Sequence, residues 1–528
     1  MSRTPIFSLL RRSFRLAKAA NTQAISAAEA VERTEAAAYS RRNFLKQSGL
    51  ATMALGLPTI LSACEKDATL IPTNIAIIGG GIAGLNCAYE LKKGGYNSVI
   101  YEASKRTGGR MFSAKDIMAG GLTTELGGEF IDTTHTTILR LAREFGLPLI
   151  DTFAPSETAL TRTSYFIGGV RYNDQQIIAE FQPIAAVMQA DIDSLPDVCD
   201  YKHASELAAL DTISISQYLA NIGASSVIKA VIEQAFISEF GLEATEQSAV
   251  NMLSIISADT SGGVFEVYDE SDERYKILGG NQQIPDKIAA QLNSGQVRLE
   301  HRLIKVEKKA SGGYLLFFDE NGRTVQTQAD MIVMTLPFSI LRNIEMSVPM
   351  SAEKKYAIQN LGYGMNAKMM LGMSSRPWRA AGELGFFYSD LNLQQGWDNS
   401  QGQNGNNGAG GMTLFSGGQN GLNIGTGTAA SQAAALLPNL ERVLAGTAAA
   451  FNGNAHRMHW PSHPFSLGSY AAFRVGQYQT IAGREVETVD ENIFFAGEHT
   501  NLEFQGYMNG GAYSGELAAK EVLKKAKK

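Results

Sequence analysis

Three glycines and one glutamate have the spacing of a phosphate-binding turn. Gly79, Gly81 and Gly84 follow the pattern G-x-G-x-x-G, and Glu102 comes eighteen residues after the last of them. In such a motif the first glycine permits a tight turn, the second lets the backbone approach a pyrophosphate, and the third lets a helix pack closely on a strand. An acid at this distance accepts hydrogen bonds from a ribose. The pattern predicts a dinucleotide site, because a purely structural glycine turn does not explain Glu102.

Lys368 is the one charged residue in the apolar, strand-like run from Ala367 to Leu371. An unpaired lysine inside a protein is costly, so a charge in such a segment has either a partner or a chemical function. The residues alone leave both readings open.

Three histidines, His456, His459 and His463, have a spacing that resembles a metal site. Pro461 and Pro464 interrupt any helix that would align them, and no cysteine or carboxylate completes the set. We predict no metal here.

The glycine motif needs a strand, a helix and a second strand to position it. The apolar run Asn74–Ile78 predicts a buried strand, and the pattern after the glycines, with Leu85, Ala88 and Leu91 on one face, predicts a helix that stops at Gly94 and Gly95. The unpaired N–H groups at the start of that helix would face the phosphates. Ser98–Tyr101 predicts the next strand, which places the acid at its end.

Further along, helical patterns occupy the middle of the chain and strand patterns follow. The helical patterns are Ser205–Leu219, Ser225–Phe240, Gln247–Ala258 and Ala512–Lys525, and the strand patterns are Val297–Val306, Tyr314–Phe318, Met331–Thr335, Leu384–Tyr388, Met412–Phe415 and Asn492–Ala496. The Gly-, Asn- and Gln-rich stretch Gln401–Gly411 predicts a long hairpin connection between Leu384–Tyr388 and Met412–Phe415.

Five separated segments resemble the flavin amine oxidases, in the order in which that family carries them. Glu102–Arg110 is similar to the family's E-A-x-x-R-x-G-G-R segment, and Gly127–Ile131 to its next glycine block. Ile138–Leu147 resembles the helix that follows in monoamine oxidases. Phe494–Glu498 and Gly506–Gly510 resemble the closing flavin block. With the glycine motif, the resemblance covers nearly the whole chain after the first seventy residues.

This resemblance implies an α/β fold with a discontinuous Rossmann-like FAD-binding domain and a substrate domain of mixed β-sheet and helices. Residues 73–135, 270–335 and 480–528 would form the FAD domain, and residues 136–269 and 336–479 the substrate domain. The residues expected to bind FAD are Gly79, Gly81, Ile82, Ala83, Gly84, Glu102, Gly109, Arg110, Gly127, Gly128, Glu129, Leu303, Gly497, Glu498, Tyr507 and Met508.

The resemblance also implies roles for four catalytic side chains. Lys368 stands where the family's lysine holds a water against the reactive ring nitrogen of the flavin and assists oxygen reduction. Tyr470 and Tyr507 stand where two aromatic rings sandwich the amine, a contact worth about 0.5–2 kcal/mol. Trp460 has the spacing of a flavin-facing tryptophan. Without the resemblance, both tyrosines would be read as core residues.

Two positions depart from the family pattern. Ser469 stands where some monoamine oxidases attach FAD through a cysteine, and since serine cannot form that thioether, we expect non-covalent FAD. Asn509 replaces the acid that is common after Gly-Tyr-Met, and no consequence is predicted for it.

The predicted reaction is the FAD-dependent oxidation of an amine with oxygen as acceptor, which yields an aldehyde, ammonia and hydrogen peroxide. The first alternative is an L-amino-acid oxidase of the same fold, which would bind the substrate carboxylate through an arginine soon after the glycine pair. Residues 129–137 contain no arginine, although Arg162 or Arg171 could serve from another loop. A flavin-dependent desaturase and a non-catalytic lipoprotein are the remaining alternatives.

Residues 1–72 predict targeting. Ser40–Lys46 reads S-R-R-N-F-L-K, the twin-arginine export pattern, and the moderately apolar stretch Ser48–Leu61 follows it. Cys64, preceded by Leu-Ser-Ala, resembles the acylated cysteine of a lipobox. We therefore expect export by the twin-arginine machinery of a bacterium to the periplasm, with a lipid anchor if Cys64 is acylated. The alternative is an arginine pair on a surface helix and a chance cysteine.

Composition argues against several other classes of protein. With 44% apolar and 19% charged residues the chain is globular, and a net charge of −6 over 528 residues argues against a nucleic-acid partner. No apolar run reaches the ~20 residues of a membrane-spanning helix. Three cysteines cannot make disulfides a main source of stability.

Overall fold

The described chain comprises residues 73–268 and 271–526 of a computed structural model. Its strands are β1 (Ile75–Ile78), β2 (Ser98–Tyr101), β3 (Ser113–Lys115), β4 (Thr123–Glu125), β5 (Leu149–Asp151), β6 (Thr161–Ile167), β7 (Val170–Tyr172), β8 (Tyr275–Ile277), β9 (Val297–Arg298), β10 (Arg302–Lys308), β11 (Tyr314–Glu320), β12 (Arg323–Ala329), β13 (Met331–Met334), β14 (Glu345–Ser347), β15 (Ala367–Met373), β16 (Glu383–Ser389), β17 (Gln395–Asp398), β18 (Gly410–Ser416), β19 (Phe451–His459) and β20 (Ile493–Phe495). Its α-helices are α1 (Ile82–Lys93), α2 (Thr136–Glu144), α3 (Pro155–Thr158), α4 (Asp174–Ser194), α5 (Ala204–Asp211), α6 (Ile215–Asn221), α7 (Ser226–Phe240), α8 (Ala249–Leu253), α9 (Gln283–Gln291), α10 (Phe338–Leu341), α11 (Ala352–Asn360), α12 (Pro377–Ala380), α13 (Gly418–Ile424), α14 (Ala429–Val443), α15 (Thr447–Ala450), α16 (Gln477–Thr480) and α17 (Met508–Ala526). The predicted targeting segment lies outside these residues.

A parallel sheet of five strands carries the glycine motif, in the order β20-β13-β1-β2-β9. Its central strand β1 pairs in parallel with β2 and with β13. Ile75 and Ile77 pack in one core cluster with α1 and α17, whereas Ala76 and Ile78 belong to another. A parallel strand buried on both faces requires an uninterrupted apolar run, which is what this segment supplies.

A mixed sheet of seven strands carries Lys368, in the order β19-β15-β18-β17-β16-β6-β7. The strand β15 is antiparallel to both of its neighbours, while β16 and β6 run parallel. A third sheet has the order β12-β11-β10-β14. The predicted α/β fold class, with a Rossmann-like sheet and a separate mixed sheet, is confirmed.

The predicted two-domain division follows the two large sheets but divides the third, because β10, β11 and β12 lie in an FAD segment and β14 lies in a substrate segment. All strands of the parallel sheet lie in the segments predicted for FAD, and all strands of the seven-stranded sheet lie in those predicted for substrate. Ile138 and Leu141 of α2, which was placed with the substrate domain, pack in the core cluster of β1 and α1. The described residues form one compact unit, so the domain boundaries stay a prediction.

Two predicted helices are shorter than their patterns. The pattern 205–219 is divided into α5 and α6, because Ser214 caps a new helix by accepting from the backbone N–H of Gln217 at 3.2 Å. The pattern 247–258 contains only α8, and beyond it Ser257 donates its backbone N–H to the carbonyl of Glu266. Among the described helices none is long and apolar enough to cross a bilayer.

The long hairpin was assigned to the wrong strand pair. Residues 395–398 form β17, which lies between β16 and β18 in the sheet. The Gly-rich stretch therefore connects β17 to β18. The sequence gives little indication of β17, because it has only four residues, only one of them, Trp397, has a large apolar side chain, and a polar loop follows it. The pattern 297–306 is also two strands, β9 and β10, which belong to different sheets.

The last helix begins at Met508, four residues before the predicted start. Gly510 and Gly511 made a helix unlikely from propensity alone. A Cβ at Gly511 would lie 2.9 Å from the Ile82 side chain, and one at Gly515 would lie 2.2 Å from the carbonyl oxygen of Ala83. Close packing of α17 on α1 therefore requires these glycines.

Candidate active site

A cavity of about 570 Å³ is lined by residues of both large sheets. Ile78 and Tyr101 contribute from the parallel sheet, and Lys368 and Trp397 from the seven-stranded sheet. All of the predicted site residues line this cavity except Gly84.

The glycine motif borders one end of the cavity. Gly79 has φ +110°, a conformation that L side chains rarely adopt. A Cβ at Gly81 would meet nothing within 4 Å, so its surface is open to a ligand. A Cβ at Gly84 would lie 2.1 Å from the carbonyl oxygen of Gly79, so this glycine serves the packing of α1 and does not touch the cavity. Ile82 and Ala83 begin α1 at the cavity wall.

Glu102 lies at the end of β2, as predicted. Its carboxylate accepts from the backbone N–H of Gly80 at 2.7 Å and from that of Ser104 at 2.8 Å, which fixes its orientation beside the turn. Leu303, on β10, lines the same region and is buried.

Arg110 and Glu498 join distant segments at the cavity wall. Arg110 Nη1 lies 2.7 Å from Glu498 Oε1 and also donates to the backbone carbonyl of Ser469 at 2.7 Å. Glu498 accepts from the backbone N–H of Gly506 at 3.0 Å. Gly497 precedes this carboxylate and lines the cavity with it.

Three further glycines let backbone segments approach closely along the cavity. A Cβ at Gly127 would lie 1.8 Å from the carbonyl oxygen of Arg110, and one at Gly128 would lie 2.7 Å from Met508 Cγ. Gly109 has φ +55°, and a Cβ at this position would lie 3.3 Å from Gly81 Cα.

Lys368 is buried on β15 and all three of its N–H groups have acceptors. Nζ donates to the carbonyls of Glu125 at 3.2 Å and Gly127 at 2.9 Å, and to Glu129 Oε2 at 3.0 Å. The other oxygen, Glu129 Oε1, lies 3.6 Å from Lys276 Nζ. The partner that the sequence left open is therefore Glu129, and the three charged groups form a buried unit at the cavity wall.

The predicted aromatic residues line one part of the cavity. The hydroxyl of Tyr470 donates to the backbone carbonyl of Glu239, and that of Tyr507 donates to Ser271 Oγ at 3.1 Å. Trp460 is buried and donates Nε1 to the carbonyl of Leu126 at 3.2 Å. Both tyrosines and the tryptophan thus line the same cavity as Lys368.

Comparison with known proteins decides the family. Residues 82–523 match the model of the flavin containing amine oxidoreductases. The chain belongs to this family. The nicotine dehydrogenase of Pseudomonas putida is 22% identical over 504 residues, which cover 92% of this chain and 97% of that protein. An L-amino-acid oxidase of Bothrops pauloensis is 23% identical over 482 residues, 86% of this chain and 90% of the relative. The solved structure of cyclohexylamine oxidase from Brevibacterium oxydans has a TM-score of 0.74 at 21% identity, and the match covers 86% of this chain and 100% of that one.

This flavin amine oxidoreductase therefore binds FAD, and the residues on the cavity wall suit it. The open face of Gly81, the start of α1 and the oriented carboxylate of Glu102 match a pyrophosphate and a ribose. The FAD is held non-covalently. Ser469 lines the cavity without a thiol, and its hydroxyl donates to Asn366 Oδ1 at 2.5 Å.

Asn509 has a structural role that the sequence did not reveal. Its Oδ1 accepts from the backbone N–H groups of Thr137 and Ile138, each at 3.1 Å. It therefore caps α2, whose own N-cap residue, His135, makes no side-chain cap hydrogen bond.

Three acids near the tyrosines were missed by sequence reasoning. Asp132, Glu239 and Glu273 line the cavity. Burial raises the pKa of Glu239 to about 7, and Asp132 adds to this shift. Burial together with Glu239 and Asp132 raises the pKa of Glu273 to about 8. No local motif marks them, because each lies on a different segment.

The two arginines considered for binding a substrate carboxylate, Arg162 and Arg171, make other contacts. Arg162 donates to the carbonyl of Asp272 at 3.0 Å and stacks over Phe153, and Arg171 pairs with Glu383 at 2.6 Å. Neither lines the cavity.

The histidine group shows no metal-site geometry. His456 and His459 lie on β19 and His463 follows it. Among residues 73–268 and 271–526, no group of three or more His, Cys, Asp or Glu side chains is placed to hold a metal ion.

Proposed function

We propose that this enzyme oxidises amines with FAD and oxygen, releasing an aldehyde, ammonia and hydrogen peroxide. The observation that carries the choice of an amine is the group of acids that lines the cavity around the tyrosines. Each of these acids, when ionised, would attract an ammonium and repel a carboxylate. An amino acid would need a free arginine there.

The arginines on the cavity wall are already engaged at other places. Arg110 pairs with Glu498, Arg106 donates to the carbonyl of Gly109 at 2.5 Å, and Arg302 pairs with Asp319 at 2.5 Å. Because these arginines already have partners, an amine is favoured as the substrate over an amino acid, the substrate in the names of the L-amino-acid oxidase relatives. This choice agrees with the amine in the name of the cyclohexylamine oxidase whose structure is similar.

The bound cofactor supplies hydride acceptance from the substrate carbon and electron transfer to oxygen. The protein's own share is binding, orientation and charge. We assign Tyr470, Tyr507 and Trp460 to orienting the amine, since aromatic faces attract a cationic or polar nitrogen. We assign Lys368 to the oxygen step, where a fixed positive charge stabilises negative charge as it develops.

A screen for peroxide release tests the proposal. Purified holoenzyme is given a panel of primary amines and a matched panel of L-amino acids, with and without catalase. We expect peroxide with at least one amine and none with the amino acids. Peroxide with amino acids alone would replace the proposal by an L-amino-acid oxidase. Amine-dependent bleaching of the flavin without peroxide would exclude oxygen as the acceptor and leave amine oxidation standing.

We also propose export by the twin-arginine route, on the sequence of residues 40–64. Arg41→Lys combined with Arg42→Lys should retain the enzyme in the cytoplasm, and Cys64→Ser should move it from the membrane to the soluble fraction. Undiminished periplasmic activity in the double variant would contradict the export signal. An unchanged membrane fraction in Cys64→Ser would contradict the lipid anchor.

A further inference from the structure

Glu239 contacts both tyrosines of the cavity. Its backbone carbonyl accepts from the hydroxyl of Tyr470, and its carboxyl Oε1 lies 3.5 Å from the hydroxyl of Tyr507. The residue is the last but one of α7, which ends at the left-handed Gly241. The end of this helix therefore places one carboxyl at the hydroxyl edge of the tyrosine pair.

The carboxyl of Glu239 has accepting capacity left. The single hydroxyl proton of Tyr507 is shared with Ser271, which lies nearer at 3.1 Å. Among the described residues no lysine or arginine pairs with Glu239. Asp132 differs, because both of its oxygens are already used. It accepts from Ser271 Oγ at 2.8 Å and from the backbone N–H of Glu273 at 3.0 Å.

The groups that face Glu239 favour its protonated form. The described titratable groups that act on it or are acted on by it are Asp132, Glu273, Tyr268, Tyr388, Tyr470 and Tyr507. Two of these are acids and four are tyrosines, whose pKa values burial raises well above 10, so none of them supplies a positive charge. His135 beside Asp132 is neutral as well, since burial lowers its pKa to about 3.

We propose that Glu239 receives the protonated nitrogen of the substrate and removes one proton from it, so that the amine lies between the tyrosines uncharged. In this step an N–H bond of the ammonium breaks and an O–H bond forms on the carboxyl, and no electrons change hands. A neutral amine beside a neutral carboxyl costs less in a cavity of low polarity than two separated charges. The inference rests on the proposed amine oxidation and adds a catalytic residue to it.

The choice of Glu239 over its neighbours follows from position. Among the described residues, Glu273 makes no hydrogen bond to either tyrosine, and Asp132 is 3% exposed with both oxygens occupied. Burial raises the pKa of Glu239 to about 7, so that near neutral pH the ionised and protonated forms of the carboxyl are both populated and it can accept a proton.

The test compares two amines of different basicity. If Glu239 were merely structural, its substitution would slow the reaction of both amines equally. Glu239→Gln keeps the backbone carbonyl for Tyr470 and an acceptor for Tyr507. Anaerobic bleaching of FAD is followed in the full-length holoenzyme with 2-phenylethylamine and with its weakly basic 2,2-difluoro analogue. At pH 7 we expect the variant to be about 100- to 1,000-fold slower than wild type with the first amine and less than tenfold slower with the second. The first deficit should shrink about tenfold per pH unit, because the neutral amine becomes more abundant.

A matched control and the wild-type profile complete the design. Glu233→Gln changes the same helix at a residue whose ion-pair partner is Lys229, and it should behave as wild type with both amines. Equal deficits of Glu239→Gln with the two amines would overturn the proposal. If that variant does not fold, a wild-type bleaching rate that rises steadily to the pKa of 2-phenylethylamine, instead of reaching a plateau near pH 7 to 8, also overturns it. If neither amine bleaches wild type, the comparison is made with the amine that gives peroxide in the screen and its β-fluorinated analogue. If no amine gives peroxide there, the proposed amine oxidation fails and the assignment of Glu239 fails with it.

Discussion

Lys368→Met is the most informative single substitution, because it removes a charge from a unit whose charges can be counted. Lys276, Glu129 and Lys368 carry two ammonium groups and one carboxylate, a net charge of +1 for these three groups. The carboxyl of Glu125 lies near them, and burial raises its pKa to about 7. Methionine is similar in length to lysine and apolar, so the variant keeps the packing on β15 while the net charge of the unit falls to zero.

The expected stability loss follows from the contacts of Nζ. Removing one member of a buried ion pair costs about 3–5 kcal/mol, because the remaining charge is uncompensated. Here Lys276 still lies 3.6 Å from the other oxygen of Glu129, so we expect about 3 kcal/mol, the lower end of that range. Adding Glu129→Gln to Lys368→Met breaks the remaining pair and leaves the buried Lys276 ammonium without its carboxylate, so the double variant should be less stable than the single one in a chemical unfolding experiment.

The same variants show whether Lys368 assists the oxygen step through the net charge of the unit or through the hydrogen bonds of its ammonium group. Fixed charge directed at developing negative charge is commonly worth about 100- to 1,000-fold in rate. Stopped-flow absorbance should therefore show reoxidation of the flavin by oxygen slowed by about this factor in Lys368→Met, with anaerobic bleaching by amine little changed. The double variant Lys368→Met, Glu129→Gln restores a net charge of +1 through Lys276. If net charge is what matters, its reoxidation rate should recover in part.

Two results would refute this reasoning. Reoxidation of Lys368→Met at the wild-type rate would make the lysine purely structural. A double variant that folds and binds FAD but is as slow as Lys368→Met would show that the ammonium acts through its own hydrogen bonds. Since all three N–H groups of Lys368 have protein acceptors, we expect the charge to dominate.

Three further outcomes are expected. Acid precipitation should release all of the FAD into the supernatant, since Ser469 has no thiol, and flavin absorbance left in the pellet would contradict this. Tyr507→Leu should weaken amine binding and slow anaerobic bleaching while leaving reoxidation near wild type, and stopped-flow absorbance measures both. Glu273→Gln should be more stable than wild type at pH 8 by about 1–3 kcal/mol and equal to it at pH 4. The pKa of Glu273 is raised from 4.5 to about 8 by burial and neighbouring acids, so the stability of the wild type is lost as pH rises through that interval, and chemical unfolding at the two pH values checks it.

The residues predicted to bind the cofactor can be found from the sequence because their signals are local. Gly79, Gly81 and Glu102 lie within one strand–helix–strand unit, and the physical demands on each are met by its immediate neighbours. The turn at Gly79 needs a positive φ, and the carboxylate of Glu102 is oriented by the N–H groups of Gly80 and Ser104. A short window of residues therefore contains nearly everything that determines them.

The partners of buried charges were beyond the reach of sequence patterns because they lie far away along the chain. Lys368 was recognised as a charge that needs a reason, yet Glu129, its counter-ion, is 239 positions away. Asn509 caps α2 across 372 positions, and no capping rule that looks three residues ahead could connect them. Such pairs become visible only when the fold fixes which strands and helices meet.

The substrate-binding part of the site is the hardest to predict from sequence, because its acids lie on different segments and no local motif marks them. Glu239 is the last residue but one of a largely apolar helix, and nothing in its neighbours along the chain distinguishes it from the partly exposed acid Glu233 on the same helix. What distinguishes it is the carbonyl that Tyr470 contacts and the carboxyl that faces Tyr507, residues that follow it by 231 and 268 positions. Binding a dinucleotide requires a backbone shape that a local motif encodes, whereas choosing an amine requires charges assembled from many segments. The family's cofactor can for this reason be recognised from short motifs at low identity, while the substrate depends on contacts that only the folded chain creates.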